Sequence, residues 1–426
     1  MFILYNMLQF IFLVVFFPFI AIFVLCSPKY RDRIPARLGF GLRKKINFIS
    51  TSKEKAPIFW LHALSVGETT SSEPLIRGLR KRFPSCKIIF SVTTKSGKGV
   101  ADLRLTHQVD AVIDGPLDIL PVVLYFHAKI QPDLFVLVET DFWPNNLLLL
   151  KNKSIPTILV NGRVSEKSIT GYRRMAFFFR PMFQSLTALC MQTVSDKKKI
   201  ASLGLVPQKV LTLGNLKFDA PELYFKKEGV QLEHYLPGNR VIFICGSTHP
   251  GEEELLIASY LRVREDFPEI FLILAPRNVK RAEEIKEMAS AYSLAVSMRT
   301  ETEQTSSDIF ILNTIGELAA CYSLANIAFV GGSLVSKGGH NPIEPASMGI
   351  PVLFGPHMED FSEIAQSLMD CQGGKTIQNE DELTQTLRAY LKSPERREND
   401  GLSAKHFIDD HRGVIEKHLQ LIQTLL

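Results

Sequence analysis

The 426-residue sequence has no Cys-x-x-Cys pair, no Asp-x-Asp pair and no His/Cys cluster at metal-ligand spacing. Zinc-ribbon and redox-motif chemistries are therefore excluded, and the expectation is a protein without a metal or other cofactor. Its six cysteines (Cys26, Cys86, Cys190, Cys245, Cys321 and Cys371) are widely spread. Cys190 and Cys245 fall in apolar runs, where reduced, buried thiols are expected, as in a reducing compartment. Charge of one sign is scarce as well: the formal net charge is +5. Nucleic acid is not the expected partner. Disorder is excluded by 46% hydrophobic and 22% charged residues. A chain of this length implies two domains with attachments.

Residues 1–28 carry no charged side chain, and 10–25, FIFLVVFFPFIAIFVL, is almost wholly apolar. That length suits a bilayer-crossing helix, although Gln9 and Pro18 weaken it. A cleaved signal peptide would need a basic start and a small-residue cleavage site, and the segment has neither. A helix lying in the membrane interface is the remaining alternative. Lys29, Arg31, Arg33, Arg37, Arg43, Lys44 and Lys45 follow. Positive charge on that side predicts an anchor at 1–28 with the rest of the chain cytoplasmic. The collar, 29–56, would set topology and attract anionic inner-membrane lipids.

From 57 onward, apolar runs alternate with helical stretches. IFWLHAL (58–64), KIIFSV (87–92), DAVIDGP (110–116), DLFVLVE (133–139), PTILVNG (156–162) and KVLTLGN (209–215) read as strands. The polar run 221–240 reads as a linker. VIFICGST (241–248), IFLILAPRN (270–278), DIFILNTIGEL (308–318), IAFV (327–330) and PVLFGPHMED (351–360) then restart the pattern. Strands separated by helices imply parallel sheets covered on both faces, with function at the strands' carboxyl ends. The boundaries expected are 57–220 and 241–405 for two Rossmann-like domains, with a terminal helix at 406–426.

Glu68, in a turn after the first strand, and Glu139, ending another, could converge although distant in sequence. His62 reads as a satisfied core histidine. GYRRMAFFFRPMF (171–183) has two open readings: a buried helix with polar ends, or a patch dipping into a membrane with Arg173, Arg174 and Arg180 on lipid phosphates. Lys217 follows a strand-glycine turn and could point into a cleft. The densest stretch is 327–351, IAFVGGSLVSKGGHNPIEPASMGIP. Its glycines permit close approach of a ligand, Asn341 can cap a helix begun by Pro342, and the amides would hold a phosphate. Glu344 could accept from a ribose diol. This composition points to a nucleotide-sugar site.

Ser65-x-Gly67-Glu68, Glu139-Thr-Asp-x-Trp-Pro-Asn145, Gly214-Asn-Leu-Lys-Phe-Asp219, Ala275-Pro-Arg277, Gly316-Glu317 and Gly339-His-Asn-Pro-Ile-Glu-Pro345 occur in this order. Together they resemble the 3-deoxy-D-manno-octulosonic acid (Kdo) transferases of lipopolysaccharide assembly, over nearly the whole chain. The resemblance implies a GT-B fold, an α/β pair of Rossmann-like domains facing across a cleft behind an N-terminal membrane-anchor helix. It further implies transfer of Kdo from CMP-Kdo to the lipid A precursor lipid IV-A, with further Kdo units added by some members. Motif by motif, Glu68 takes the general-base role, and Glu139 and Lys217 match transition-state stabilisers. Pro276, Arg277, Ile315, Gly316, Glu317, Asn341, Pro342, Ile343 and Glu344 match donor contacts. Asp141 stands where many members have Glu. Other readings of the residues are a lipid glycosyltransferase using another nucleotide sugar, a sugar-nucleotide epimerase, and a non-catalytic membrane-bound binding module.

Overall fold

The computed structural model describes residues 2–27, 31, 33–48, 56–219, 240–301 and 307–426, without the side chains of residues 2 and 20. Lys29 and nearly all of the expected linker at 221–240 lie outside the described residues. The chain divides into two units, Met1–Ala220 with Gly413–Leu426, and Pro221–Arg412.

In the first unit, β1 (Ile58–Ala63), β2 (Lys87–Val92), β3 (Ala111–Asp114), β4 (Leu134–Val138), β5 (Thr157–Gly162), β6 (Ala188–Met191) and β7 (Val210–Thr212) form one sheet in the order β3-β2-β1-β4-β5-β6-β7. All its pairings are parallel. Side chains alternate between faces along each strand. Phe59 and Leu61 of β1 join Ile76, Leu79, Phe90, Leu419 and Ile422 on one face. Trp60 joins Phe126, Phe135, Leu147 and Phe183 on the other. With both faces apolar, the strands read as continuous hydrophobic runs, which is why they were legible. The C-terminal helix Val414–Leu425 belongs to this unit, its start fixed by Asp219, which accepts from Gly413 N (2.9 Å) and Ile415 N (2.6 Å).

The second unit repeats the plan. β8 (Val241–Thr248), β9 (Ile270–Pro276), β10 (Val296–Met298), β11 (Ile309–Ile311), β12 (Ile327–Val330), β13 (Val352–Phe354) and β14 (Gly374–Thr376) are ordered β10-β11-β9-β8-β12-β13-β14, again all parallel. Leu272 and Leu274 enter one core with Phe243, Tyr260 and Phe329, while Phe271 and Ile273 enter the other with Phe310 and Tyr322. In each unit the strand order reverses beside the first strand, between β1 and β4 and between β8 and β12. In open α/β sheets such a reversal, at the carboxyl ends of the strands, is where ligands bind.

The amino end differs from expectation. Phe2–Cys26 is one 25-residue helix without a charged side chain. Among the described residues, however, no helix is long and apolar enough to cross a membrane. The helix Phe2–Cys26 carries Asn6 and Gln9 near its start. Its first turns carry a polar docking edge. Tyr5 Oη donates to Asp118 Oδ2 (3.0 Å), Gln9 Nε2 to the Asp118 carbonyl (2.9 Å) and Asn6 Nδ2 to Asn145 Oδ1 (2.8 Å). The described part of the basic collar is likewise folded into the first unit. Arg33 pairs with Asp114 (2.6 Å), Arg37 donates to the Gly115 carbonyl (3.0 Å), and Leu42 and Ile46 are buried.

Candidate active site

The first carboxylate group lies where β1 and β4 part. The expected turn at 65–68 is already helix: Val66–Arg82 begins at a Ser65 cap whose Oγ accepts from Glu68 N (3.4 Å). Glu68 thus occupies the first helical turn and reaches back to accept from Leu64 N, closing a reciprocal cap. Its other oxygen accepts from Thr140 Oγ1 at 3.2 Å, which joins the β1 exit to the β4 exit. Glu68 is only 4% exposed. Burial, opposed by the Leu64 bond and reinforced by the charges of Glu139 and Asp141, pushes its carboxyl up to about 7. A cap alone would not require that.

Glu139 sits in the left-handed region (φ 59), unusual for a non-glycine residue and a mark of local constraint. Asn161 Nδ2 donates to it at 2.9 Å, and Arg163 approaches at 3.7 Å. Asn161 is fully buried, and its Oδ1 accepts from Leu216 N (3.0 Å). It therefore ties Glu139 to the 3-10 turn Leu216–Asp219, which carries Lys217. The sequence reading missed Asn161; its signal was a polar residue inside an otherwise apolar strand. Lys217 itself is partly buried, its amide donating to Asn215 Oδ1 (3.0 Å). The structure thus brings Glu68 and Glu139 together and links the Lys217 turn to them through Asn161.

Beneath this group lies a buried polar chain. Trp60 Nε1 donates to Ser91 Oγ (2.8 Å), which contacts His62 Nδ1 (2.6 Å), while His62 Nε2 meets Asp141 Oδ2 (2.9 Å). Thr93 Oγ1 also donates to Asp141 (2.6 Å). Burial raises the Asp141 carboxyl, but bonding to His62, the charge of His62 and the Thr93 bond together hold it below its ordinary value. His62 is the satisfied core histidine its apolar strand implied. Gly115 closes over it, since a Cβ there would lie 2.6 Å from His62 Cε1.

The segment 171–183 is helical. It spans the helices Glu166–Arg174 and Ala176–Ser185, burying Met182 and Phe183 while leaving Phe177 70% exposed. Arg173 is engaged with Ser202 Oγ at 2.8 Å.

In the second unit, the exits of β9, β11 and β12 carry the residues expected to bind the donor. Pro276 ends β9, and Arg277 follows it, exposed. Gly316 (φ 91) makes the turn between Ile315, which is 86% exposed, and Glu317. Glu317 accepts from Thr314 Oγ1 and pairs with Arg299 (3.2 Å). Asn341 Oδ1 accepts from Ile343 N and its Nδ2 donates to Glu344 Oε1, both at 3.1 Å. Pro342 precedes the five-residue helix Ile343–Ser347, whose first amide, Ile343 N, is capped by Asn341.

The glycine-pair amides are not free either. Glu252, fully buried at the start of the helix Glu253–Arg264, accepts from Gly332 N (2.8 Å), Ser333 N (3.0 Å), Leu334 N (2.9 Å) and His249 N (2.9 Å). Gly331 N and Gly339 N bond to Gly246 and Gly332 carbonyls. The protein's own carboxylate holds this part of the loop. Glu252 escaped the sequence reading, although Gly251-Glu252 repeats the Gly67-Glu68 pairing after the first strand of the other unit. Among the described residues no group of three or more His, Cys, Asp or Glu gathers to hold a metal ion. A polar hollow of ≈ 630 Å³ near Gln372, Lys375, Tyr390 and Arg396 contains none of the expected site residues.

Two α/β units, each a seven-stranded parallel sheet with polar groups at its order reversal, define the fold class. UDP-GlcNAc 2-epimerase from Neisseria meningitidis shares the fold, with TM-score 0.57 and 14% identity over 85% of this chain and 100% of that one. A glycosyltransferase from Rickettsia africae does too, with TM-score 0.54 and 12% identity over 87% and 99%. Sequence then separates these possibilities. The family model for 3-deoxy-D-manno-octulosonic-acid transferase (kdotransferase) matches residues 32–220. The 3-deoxy-D-manno-octulosonic acid transferase of Haemophilus influenzae is 30% identical over 414 residues, 96% of this chain and 95% of the relative. That of Rickettsia bellii is 27% identical over 428 residues, 98% of each. The chain belongs to the 3-deoxy-D-manno-octulosonic acid transferase family and is a glycosyltransferase.

Proposed function

We propose that this enzyme transfers Kdo from CMP-Kdo to lipid IV-A, once or in succession, by a single displacement without a metal, in lipopolysaccharide assembly. The observation that carries the mechanism is Glu68: a buried carboxyl beside Glu139 whose affinity for a proton is tuned near neutrality. An acceptor hydroxyl is a poor nucleophile and needs such a base in reach. As its proton passes to Glu68, its oxygen forms the bond to the anomeric carbon of Kdo. The bond from that carbon to the phosphate oxygen breaks, its electron pair leaving with CMP, and the configuration inverts. Glu139, held by Asn161, eases positive charge developing on the sugar ring, and Lys217 answers negative charge near it. Arg277 and Asn341 to Glu344 hold the nucleotide, with Pro276 and Ile315 to Glu317 lining the same strand exits. These fixed cations and polar groups offset the charge arriving on the phosphate.

Glu68→Gln tests the base directly. Turnover falls about 10²–10⁴-fold, the range for loss of a general base, while the CMP-Kdo dissociation constant measured by calorimetry stays within about threefold. Parallel losses of binding and turnover contradict the role.

The same reading makes Phe2–Cys26 the contact with the cytoplasmic face of the inner membrane. What supports it is an uncharged helix whose Phe10, Phe17, Phe19 and Leu25 are exposed, within a chain that also exposes Phe40 and Phe177. Removal of this helix releases the protein from anionic vesicles in a sedimentation assay. Undiminished binding after deletion of 1–26 refutes the contact.

A further inference from the structure

Two histidines in the second unit have a geometry that the nucleotide-binding residues named so far do not explain. His249 follows β8 and His340 follows the second glycine pair. Their Nε2 atoms are 2.9 Å apart, and their rings lie within 7° of parallel with centroids 5.1 Å apart. Gly332 (φ 70) leaves them room, since a Cβ there would sit 3.1 Å from His340 Cδ2 and 3.4 Å from His249 Cδ2. Both backbones are fixed: His249 N donates to Glu252, and His340 N donates to the Gly331 carbonyl (3.1 Å). Both rings are only half-buried, so a ligand can reach them.

An Nε2···Nε2 hydrogen bond requires one N–H and one lone pair. The pair therefore holds a single proton along its shared edge, and a second would set N–H against N–H. The surrounding charge is mostly cationic. Lys337, Arg277 and Arg281 act on His249, and Arg277 acts on His340. The one anion acting on His249 is Glu252, whose two oxygens are committed to four backbone amides. Burial first, and then these cations, hold both imidazoles below their ordinary proton affinity, His340 down to about 4. An incoming anion removes that penalty.

We propose that His249 and His340 form a proton-accepting clamp for the phosphate of the bound nucleotide. When the phosphate arrives beside Arg277, the N–N hydrogen bond opens and a second proton enters from solvent. Each Nε2–H then donates to a phosphate oxygen. The clamp rests on the reading of this unit as the CMP-Kdo site. It also gives that site a function on turnover, because the phosphate gains a negative charge when the sugar leaves and the extra proton offsets it. Nucleotide release then returns the proton to solvent.

The test is calorimetric titration of CMP into the full-length protein, repeated in buffers of different ionisation enthalpy from pH 6.5 to 8.5. A non-titrating diester, cytidine 5′-methylphosphate, runs in parallel so that protonation of CMP itself is separated. The wild type takes up close to one proton per nucleotide, and its dissociation constant rises toward tenfold per pH unit above neutrality. His249→Gln and His340→Gln each abolish the uptake and flatten the pH dependence. The wild-type arm decides the matter even if a variant folds poorly. Binding without proton uptake and with constant affinity across that range overturns the clamp alone. Absence of binding by either nucleotide overturns the donor-site reading and the clamp with it.

Discussion

At the scale of single residues, the chemistry converges on carboxylates with unlike surroundings. Asp141 is bonded by His62 and Thr93 and kept ionised, whereas Glu68 is buried beside other acids and raised to about 7. Opposed environments of this kind separate an acid–base group from a structural one. Glu68 must be unprotonated to act, so the transfer rate climbs with pH below about 7 and levels above it. A rate that falls across that interval contradicts the assignment. The same shift bears on stability. The native state holds the Glu68 proton more tightly than the unfolded chain, so this contribution is complete below the unfolded value of 4.5 and lost as pH rises through about 7. Glu68→Gln therefore gains melting temperature relative to wild type at pH 8, and the gain shrinks at pH 5. Asn161 belongs to this scale too. Asn161→Ala leaves Leu216 N unpaired and Glu139 unheld, and costs about 1–3 kcal/mol in denaturant unfolding. It also lowers turnover more than donor affinity, and an unchanged turnover contradicts its positioning role.

At the scale of elements, most of the scaffold was legible because buried parallel strands are short apolar runs closed by glycine or proline. VIFICGST and IAFV coincide with β8 and β12. Three edge or near-edge strands were missed, β6, β10 and β14. β14 reads Gly-Lys-Thr and lies half-buried at its sheet's edge, so it lacks the signal that burial on both faces imposes. The turn at Glu68 was misread as loop because Gly67 looked like punctuation, whereas Ser65 makes it a helix start. The hold of Glu252 on three amides of the glycine loop was not legible, a contact 80 residues away in sequence for Gly332 that periodicity cannot register. Gly331 shows what that loop requires. A Cβ there would meet the Ser247 carbonyl oxygen at 2.4 Å, backbone against backbone. Gly331→Ala must push the β8 and β12 exits apart, at about 1–3 kcal/mol as for other overpacked sites. Thermal unfolding measures it, and a wild-type melting temperature would show the exits to be slack.

At the scale of the molecule, two units built on one plan carry different equipment. The first holds the Glu68 and Glu139 carboxylates and the apolar amino-terminal helix, and the second holds the Glu252 clasp, the histidine pair and the glycine loop. Gly-Glu after the opening strand occurs in both, as a proposed base in one and a loop clasp in the other. Composition and motif order were enough to expect this division of labour, because an ordered set of motifs is far more specific than any single glycine turn. What they could not supply was the pairing of Asn161 with Glu139 or of His249 with His340, which exists only once distant strands align. The account as a whole stands on transfer of Kdo by this chain with Glu68 as base. Its most direct test is incubation of the full-length enzyme with CMP-Kdo and lipid IV-A, with the lipid weighed by mass spectrometry. The account predicts a lipid heavier by one or more Kdo residues with the wild type and unchanged lipid with Glu68→Gln. An unmodified lipid with the wild type, or equal product from the variant, would contradict it.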